Sequence, residues 1–333
     1  MEKKYPFKFL DAYTSEDSSI FFGRKEEIDA LYQMVFQSDL VLVYGPSGTG
    51  KTSIIQCGLA SKFQSHDWLP IFVRRGSDIN VAFERALQEA GGIADEYDEN
   101  FERFSAAQTR REVPTFATSS LSPLARSFRV AYFKHFKPIY LIFDQFEELY
   151  ILGTPAEQQK FIRTIQEILQ LKQSIKVIIS IREEYLGHLY EFERVVPDLL
   201  RKKLRVEAMT LGKVQEVITA LGRLENSNVV LKKGQEIGMA NAIFHKIKGQ
   251  EKALGIPLPY LQVFLDKLYH EITNDDTLQA DALFTLERVE NFGDLGDVLR
   301  DFLDEQVQKT AKEFQRKPEE VWKILSPFVT LDN

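Results

Sequence analysis

Cysteine is nearly missing from this chain: there is one, Cys57, with no second cysteine to form an internal disulfide. No metal-type Cys/His spacing surrounds it, so it reads as a small apolar residue in a reducing compartment. The five histidines are scattered and exclude a zinc centre built on them. No run approaches the ~18 apolar residues of a membrane-spanning helix. The N-terminus, "MEKKYPFKFLDAYTSED", holds no apolar stretch of signal-peptide length. Positive charge is in the minority, with 42 Lys and Arg against 49 Asp and Glu and a net charge of −7. That balance excludes a chain-wide electrostatic grip on DNA or RNA. The expectation is a cytoplasmic protein with no membrane association and no general nucleic-acid binding. Internal repeats and low-complexity tracts are also missing.

What is present is ordinary globular material: 333 residues, 44% hydrophobic and 27% charged, enough for two or three domains without disulfide staples. The first two hundred residues alternate apolar runs with amphipathic stretches. The runs are "LVLVY" (40–44), "LPIFVRR" (69–75), "PIYLIFD" (138–144), "KVIISIR" (176–182) and "LRVEAM" (204–209). Continuous Val/Ile/Leu runs of this length read as parallel strands buried on both faces. Helical patterns lie between them at 25–36, 53–63, 156–171 and 184–193, and the alternation predicts a parallel sheet with helices on both faces. The charged, Ser/Thr-rich segment near 91–123 breaks the rhythm and reads as an insertion, partly helical around 100–111. After 211 strand signals stop, and helical patterns follow at 213–224, 237–247, 259–272 and 296–314. The expected organisation is a sheet domain over 1–210, a helical domain over 211–318 and the start of a further domain over 319–333.

The segment "GPSGTGKT" (45–52) matches G-x-x-x-x-G-K-[ST] in full, after a predicted strand and before a predicted helix. Glycines 45, 48 and 50 let the backbone aim its N–H groups at a β-phosphate, helped by the positive potential of the helix N-terminus. Lys51 would bridge β- and γ-phosphates, and the Thr52 hydroxyl would ligate Mg²⁺. The candidate cofactor-binding set here is Gly45, Pro46, Ser47, Gly48, Thr49, Gly50, Lys51, Thr52 and Ser53. A P-loop calls for an acidic residue at the tip of another buried strand to hold the metal through water. Asp144, ending "IYLIFD", supplies it, so the candidate metal residues are Thr52 and Asp144. Glu147 and Glu148 follow within one helical turn; a carboxylate there can position and polarise the attacking water. A solvated first turn favoured by the helix dipole accounts equally for one of the two. Arg182, with Ser180, stands at the end of the fourth run, either sensing the γ-phosphate or pairing with Glu183 or Glu184. The absence of an N-K-x-D element favours ATP over GTP. Arg201, Lys202, Lys203 and Arg205 form a basic run that reads first as solvated surface and second as a contact to a neighbour's nucleotide. The predicted fold class is therefore an α/β P-loop NTPase of the ASCE/AAA-like kind, followed by an all-α domain.

Taken in order, "FFGRKEEI" (21–28), "GPSGTGKT", "LIFDQFEEL", "VIISIREEY" and "GIPLPYLQVFLDKLY" (255–269) resemble the STAND NTPases, in particular the bacterial novel STAND branch. The resemblance spans essentially the whole chain. It implies that Phe22, Gly23, Arg24 and Glu27 lie near the base and ribose, with Lys25 standing where the family has its first glutamate. It implies a proline on adenine, Pro257 in one register and Pro259 in the other. It also implies a switch that binds ATP or ADP with Mg²⁺, hydrolyses ATP slowly and self-associates when a trigger, such as a foreign protein, opens it. Bacterial antiviral defence and related signalling are the roles implied. The winged helix of the family is represented only by its first residues, which leads to the expectation of either the N-terminal part of a longer sensor–effector protein or a reduced member whose autoinhibition works differently. Two other readings remain open from the residues: an AAA-like ATPase remodelling protein or DNA, and a nucleotide-stabilised scaffold without productive hydrolysis.

Overall fold

The five apolar runs pair into one sheet in the computed structural model, which describes residues 5–91, 122–171, 173–249, 254–275, 277–293 and 295–325. The strands are β1 (Leu40–Gly45), β2 (Leu69–Val73), β3 (Ile139–Phe143), β4 (Ile175–Arg182) and β5 (Lys203–Arg205). Their order is β2-β3-β4-β1-β5, and every pairing is parallel. Successive side chains of a strand point to opposite faces, and here both faces are covered, which is why the runs are apolar throughout rather than alternating. Leu40 and Leu42 join one core with Phe83, Phe143, Phe161 and Ile179. Val41 and Val43 join the other, with Leu31, Val35, Ile54 and Ile142.

The helices of this unit supply the matching apolar stripes. Helix α1 (Lys25–Gln37) and helix α2 cover the second core. Helix α2 starts over Lys51–Ser53 and runs on, in wider and then tighter turns, through Ile54–Leu59 and Ala60–Lys62. Helices α3 (Ile79–Gly91), α4 (Pro123–His135) and, past the short α5 (Glu148–Ile151), α6 (Pro155–Gln170) cover the first. Helix α6 shows why it starts where it does: the Thr154 hydroxyl accepts the Glu157 N–H, and Pro155 needs no donor partner at the first helical position. Cys57 is fully buried on α2, as an apolar residue would be. The region expected to be helical at 184–193 is a tight 3-10 stretch, Glu183–Leu189, leading into helix α7 (Tyr190–Val195). The expected insertion falls almost wholly on residues 92–121, outside the described residues.

The chain divides into two compact units, 12–207 and 1–11 with 208–333. The division departs from the expected 1–210 and 211–318 because the first aromatics pack elsewhere. The Tyr5 hydroxyl donates to Asp266 at 2.6 Å, and the Tyr5 ring meets Tyr269 edge-on at 4.9 Å. The second unit holds helices α8 (Leu211–Leu221), α9 (Glu236–Lys248), α10 (Leu258–Thr273), α11 (Leu286–Asn291), α12 (Leu295–Glu313) and α13 (Pro318–Leu325). It is not purely helical. Met209–Thr210 pairs antiparallel with Gly255–Ile256, and Val229–Leu231 pairs parallel with Ala282–Phe284. Strands of two or three residues are too short for a period-two signal to register, which is why the sequence shows none. Among the described residues no helix is long and apolar enough to cross a membrane.

Candidate nucleotide site

The phosphate loop leaves β1 where the sheet order turns back, with β4 on one side and β5 on the other. In open parallel sheets ligands settle at the carboxyl ends of the strands at such a switch point. Gly45 is required there by contact: a Cβ on it would fall 2.1 Å from the Val206 carbonyl oxygen. Gly48 and Gly50 have φ of 71° and 86°, a backbone region that costs other residues energy. The Thr49 hydroxyl closes the loop on the Pro46 carbonyl at 3.0 Å. Ser47 is exposed on the rim. Ser53 is buried, and its hydroxyl accepts the Tyr13 N–H at 3.1 Å, so it braces the helix from within the unit.

Lys51 is 9% exposed, and its ammonium donates to the Gly45 and Pro46 carbonyls at 2.9 and 2.8 Å. Burial pushes its pKa below the ordinary lysine value, and the negative charge of Glu147 is the strongest influence pulling it back. The Thr52 hydroxyl reaches Asp144 at 2.9 Å. Asp144 is 4% exposed, and its N–H continues the sheet to the Val73 carbonyl. Thus α2 and the tip of β3 meet side chain to side chain.

After Asp144 the chain turns sharply. Gln145 adopts φ 56°, and Phe146 donates its N–H to the Ser180 carbonyl, which ties the turn to β4. Ser180 itself is buried inside the strand rather than at its end. The turn delivers Glu147 to Arg182: the guanidinium Nε lies 3.0 Å from Oε1, and the Arg182 N–H donates to Oε2 at 3.2 Å. Arg182 is opposite Gly45 in the β1–β4 register. Its ion pair is with Glu147, not with the neighbouring Glu183 or Glu184. Glu147 is buried and Glu148 half-buried at the start of α5. The two glutamates therefore differ in surroundings, which their adjacency in sequence hides.

Arg24 is 1% exposed and holds three partners: Glu27 at 2.7 Å and the carbonyls of Thr49 and Glu207 at 2.8 and 2.9 Å. It ties the phosphate loop to the segment after β5. Gly23 precedes it with φ 76°, and Lys25 is exposed. Of the basic run, Arg201 pairs with Asp198, Lys202 with Gln37, and Arg205 with the half-buried Glu183 and with Glu207, all on the same unit. Pro257 caps α10, with Pro259 in its first turn; both belong to the second unit. One residue missed by the sequence reading is Arg74, whose guanidinium lies 3.0 Å from Asp144. The only hint was the pair of arginines ending "LPIFVRR".

These residues fit a metal-bound triphosphate. The loop turns through Gly48 and Gly50 at positive φ, and Thr52 and Asp144 offer a hydroxyl and a carboxylate, the hard oxygen donors Mg²⁺ takes. The model of the family "Novel STAND NTPase 1" matches residues 6–332. The chain belongs to that family. It is a P-loop NTPase, and two solved structures of Aeropyrum pernix share its fold. The Aeropyrum pernix ORC1 protein in complex with DNA aligns with a TM-score of 0.51 and 14% identity, covering 93% of this chain and 72% of that one. The ORC2 protein of the same organism, in its ADPNP-ADP complexes, gives 0.50 and 14%, covering 80% and 66%. A Walker-type ATPase of Pyrococcus abyssi, PABY2304, gives 0.49 and 15%, covering 92% and 78%. No curated protein matches the chain.

Proposed function

We propose that this NTPase is an ATP-operated signalling switch that hydrolyses ATP slowly and self-associates when a trigger releases it, in the defence or related signalling roles its family resemblance implies. The observation that supports this reading best is the clasp between Arg182 and Glu147. A carboxylate positions water through a lone pair left open to accept its proton. Both oxygens of Glu147 are engaged, one by the guanidinium and one by the backbone N–H. Release of Arg182 then opens Oε1 fully to the attacking water and favours hydrolysis. Because Arg182 stands beside Gly45 in the sheet, a γ-phosphate held over the loop competes with Glu147 for the same guanidinium.

The other residues hold the substrate. Lys51 exchanges its carbonyl partners for phosphate oxygens, and the loop N–H groups take the β-phosphate. Thr52 and Asp144 would hold Mg²⁺, which neutralises charge between the β- and γ-phosphates when bound. Glu147 then takes the proton of the attacking water, with Arg182 on the phosphate. The state of the clasp thus reports the state of the nucleotide, which is what a switch needs.

The test is assembly. Light scattering behind size-exclusion chromatography should show an ATP- and Mg²⁺-dependent rise in mass that ADP does not produce. Lys51→Ala should abolish it. Bound ATP with no change in mass, or a Lys51→Ala protein that assembles like wild type, sinks the switch.

A further inference from the structure

Each of the two buried acids of the site carries its own half-exposed arginine. Arg182 pairs with Glu147, at side-chain exposures of 43% and 6%, and Arg74 pairs with Asp144, at 55% and 3%. The three strand tips involved are neighbours in the sheet, β2-β3-β4. The first pair belongs to the reading above. The second has no role in it, since Asp144 is there engaged by Thr52 and the metal.

We propose that Arg74 is a γ-phosphate contact: it leaves Asp144 for the terminal phosphate when Mg²⁺ and ATP enter, and so favours ATP over ADP. This rests on the nucleotide reading of the same site. The backbone places it for the task. Val73 is opposite Phe143 in the β2–β3 register, and the Asp144 N–H donates to the Val73 carbonyl, so Arg74 follows β2 as Asp144 follows β3. The Asp144 oxygen that Arg74 touches also accepts the Thr52 hydroxyl at 2.9 Å. The guanidinium is therefore no more than about 6 Å from the Thr52 hydroxyl, a group that would hold the metal.

The adjacent Arg75 makes Arg74's freedom specific. Arg75 is buried and fixed by two bonds to Glu157, at 2.9 and 2.8 Å, and by two backbone carbonyls. The chain beneath Arg74 is thus anchored while its own side chain is in solvent, so only the arm is free to move. Its hold on Asp144 is a single contact, from a guanidinium more than half in solvent to a buried carboxylate. Asp144 would also hold a divalent cation, so Arg74 and the metal would compete for one carboxylate. The freed fork would then pair with the γ-phosphate, whose oxygens match its geometry. ADP has no such group.

Calorimetric titration with a non-hydrolysable ATP analogue and with ADP, both in excess Mg²⁺, tests this on wild type, Arg74→Gln, Arg74→Lys and Lys51→Ala. Arg74→Gln should lower the ratio of analogue to ADP affinity about tenfold or more, with ADP affinity unchanged to within about twofold. Arg74→Lys, which keeps the charge and loses the fork, should recover part of that ratio. An unchanged ratio in Arg74→Gln overturns the proposal. So does an equal loss for both nucleotides, which would mean that Arg74 acts only by holding Asp144. Wild type that binds neither nucleotide, or binds no better than Lys51→Ala, overturns the nucleotide reading itself and this inference with it.

Discussion

Two arginine–glutamate pairs in the sheet unit have the same chemistry and opposite physics. Arg75 and Glu157 are both buried, at side-chain exposures of 8% and 4%. The guanidinium makes two bonds to the carboxylate and two to backbone carbonyls, while Glu157 also accepts the Ile79 N–H at 2.8 Å. Arg182 and Glu147 share one charged contact, and the arginine is 43% exposed. Opening the first pair strands two charges in a place water does not reach. Opening the second lets the arginine return to water and leaves the glutamate one backbone bond. The difference is solvent, and it separates a weld from a latch.

The comparison breaks most visibly at the weld. Glu157→Ala leaves the Arg75 charge buried and unpaired, and should cost about 3–5 kcal/mol of unfolding free energy. Urea unfolding of wild type and variant reads it directly. A loss below about 1 kcal/mol would place this pair with ordinary surface pairs and remove the contrast.

The latch should fail in the opposite sense, losing function with little stability. Glu147→Gln keeps an oxygen for the Arg182 N–H but removes the base, and should lower ATP turnover about a hundredfold or more. Arg182→Ala should cost clearly less in urea than Glu157→Ala, because Glu147 keeps the backbone N–H and the lost cation was half in water. It should also lower turnover about tenfold, because the cation facing the γ-phosphate is gone. Phosphate-release kinetics and urea curves on the same preparations separate the two effects. An Arg182→Ala protein as destabilised as Glu157→Ala would make the second pair a weld as well.

The weld was invisible in the sequence and the latch only half visible, for a common reason. Apolar runs and the glycine-rich turn are local signals. The five strands, the loop and the strand-end Asp144 could therefore be read directly, and their assembly in the order β2-β3-β4-β1-β5 follows the expected fold. Pairings between residues 82 or 35 positions apart, as in Arg75–Glu157 and Arg182–Glu147, leave no period behind. Glu147 and Glu148 looked equivalent because the left-handed turn at Gln145, a residue with no special propensity for it, decides which of them meets Arg182. Arg24 stood in a motif implied to lie by the nucleotide. Its burial against the Thr49 and Glu207 carbonyls depends on residues 25 and 183 positions away. Nothing near Tyr5 and Phe7 in sequence says that their rings meet Tyr269 and Phe284.

The smallest effect concerns how the latch acts on Lys51. Burial lowers the Lys51 pKa from 10.5, and Glu147 is the charge that most opposes that shift, with Arg182 acting with burial and with Glu184 and Asp144 against it. ATP requires the ammonium, so affinity for an ATP analogue should fall on the alkaline side at a pH below 10.5, earlier than an ordinary lysine would allow. Folding stability without nucleotide moves the other way. The unfolded chain holds the Lys51 proton more tightly than the folded one, so this residue's contribution to stability rises with pH between the two pKa values. Glu147→Gln removes the carboxylate that supports the ammonium, and should move the loss of affinity to lower pH. Calorimetric titrations across the alkaline range on both proteins compare the curves. Coincident curves, or a shift to higher pH in the variant, would mean that Glu147 does not act on Lys51 and that the latch and the phosphate loop are electrically separate.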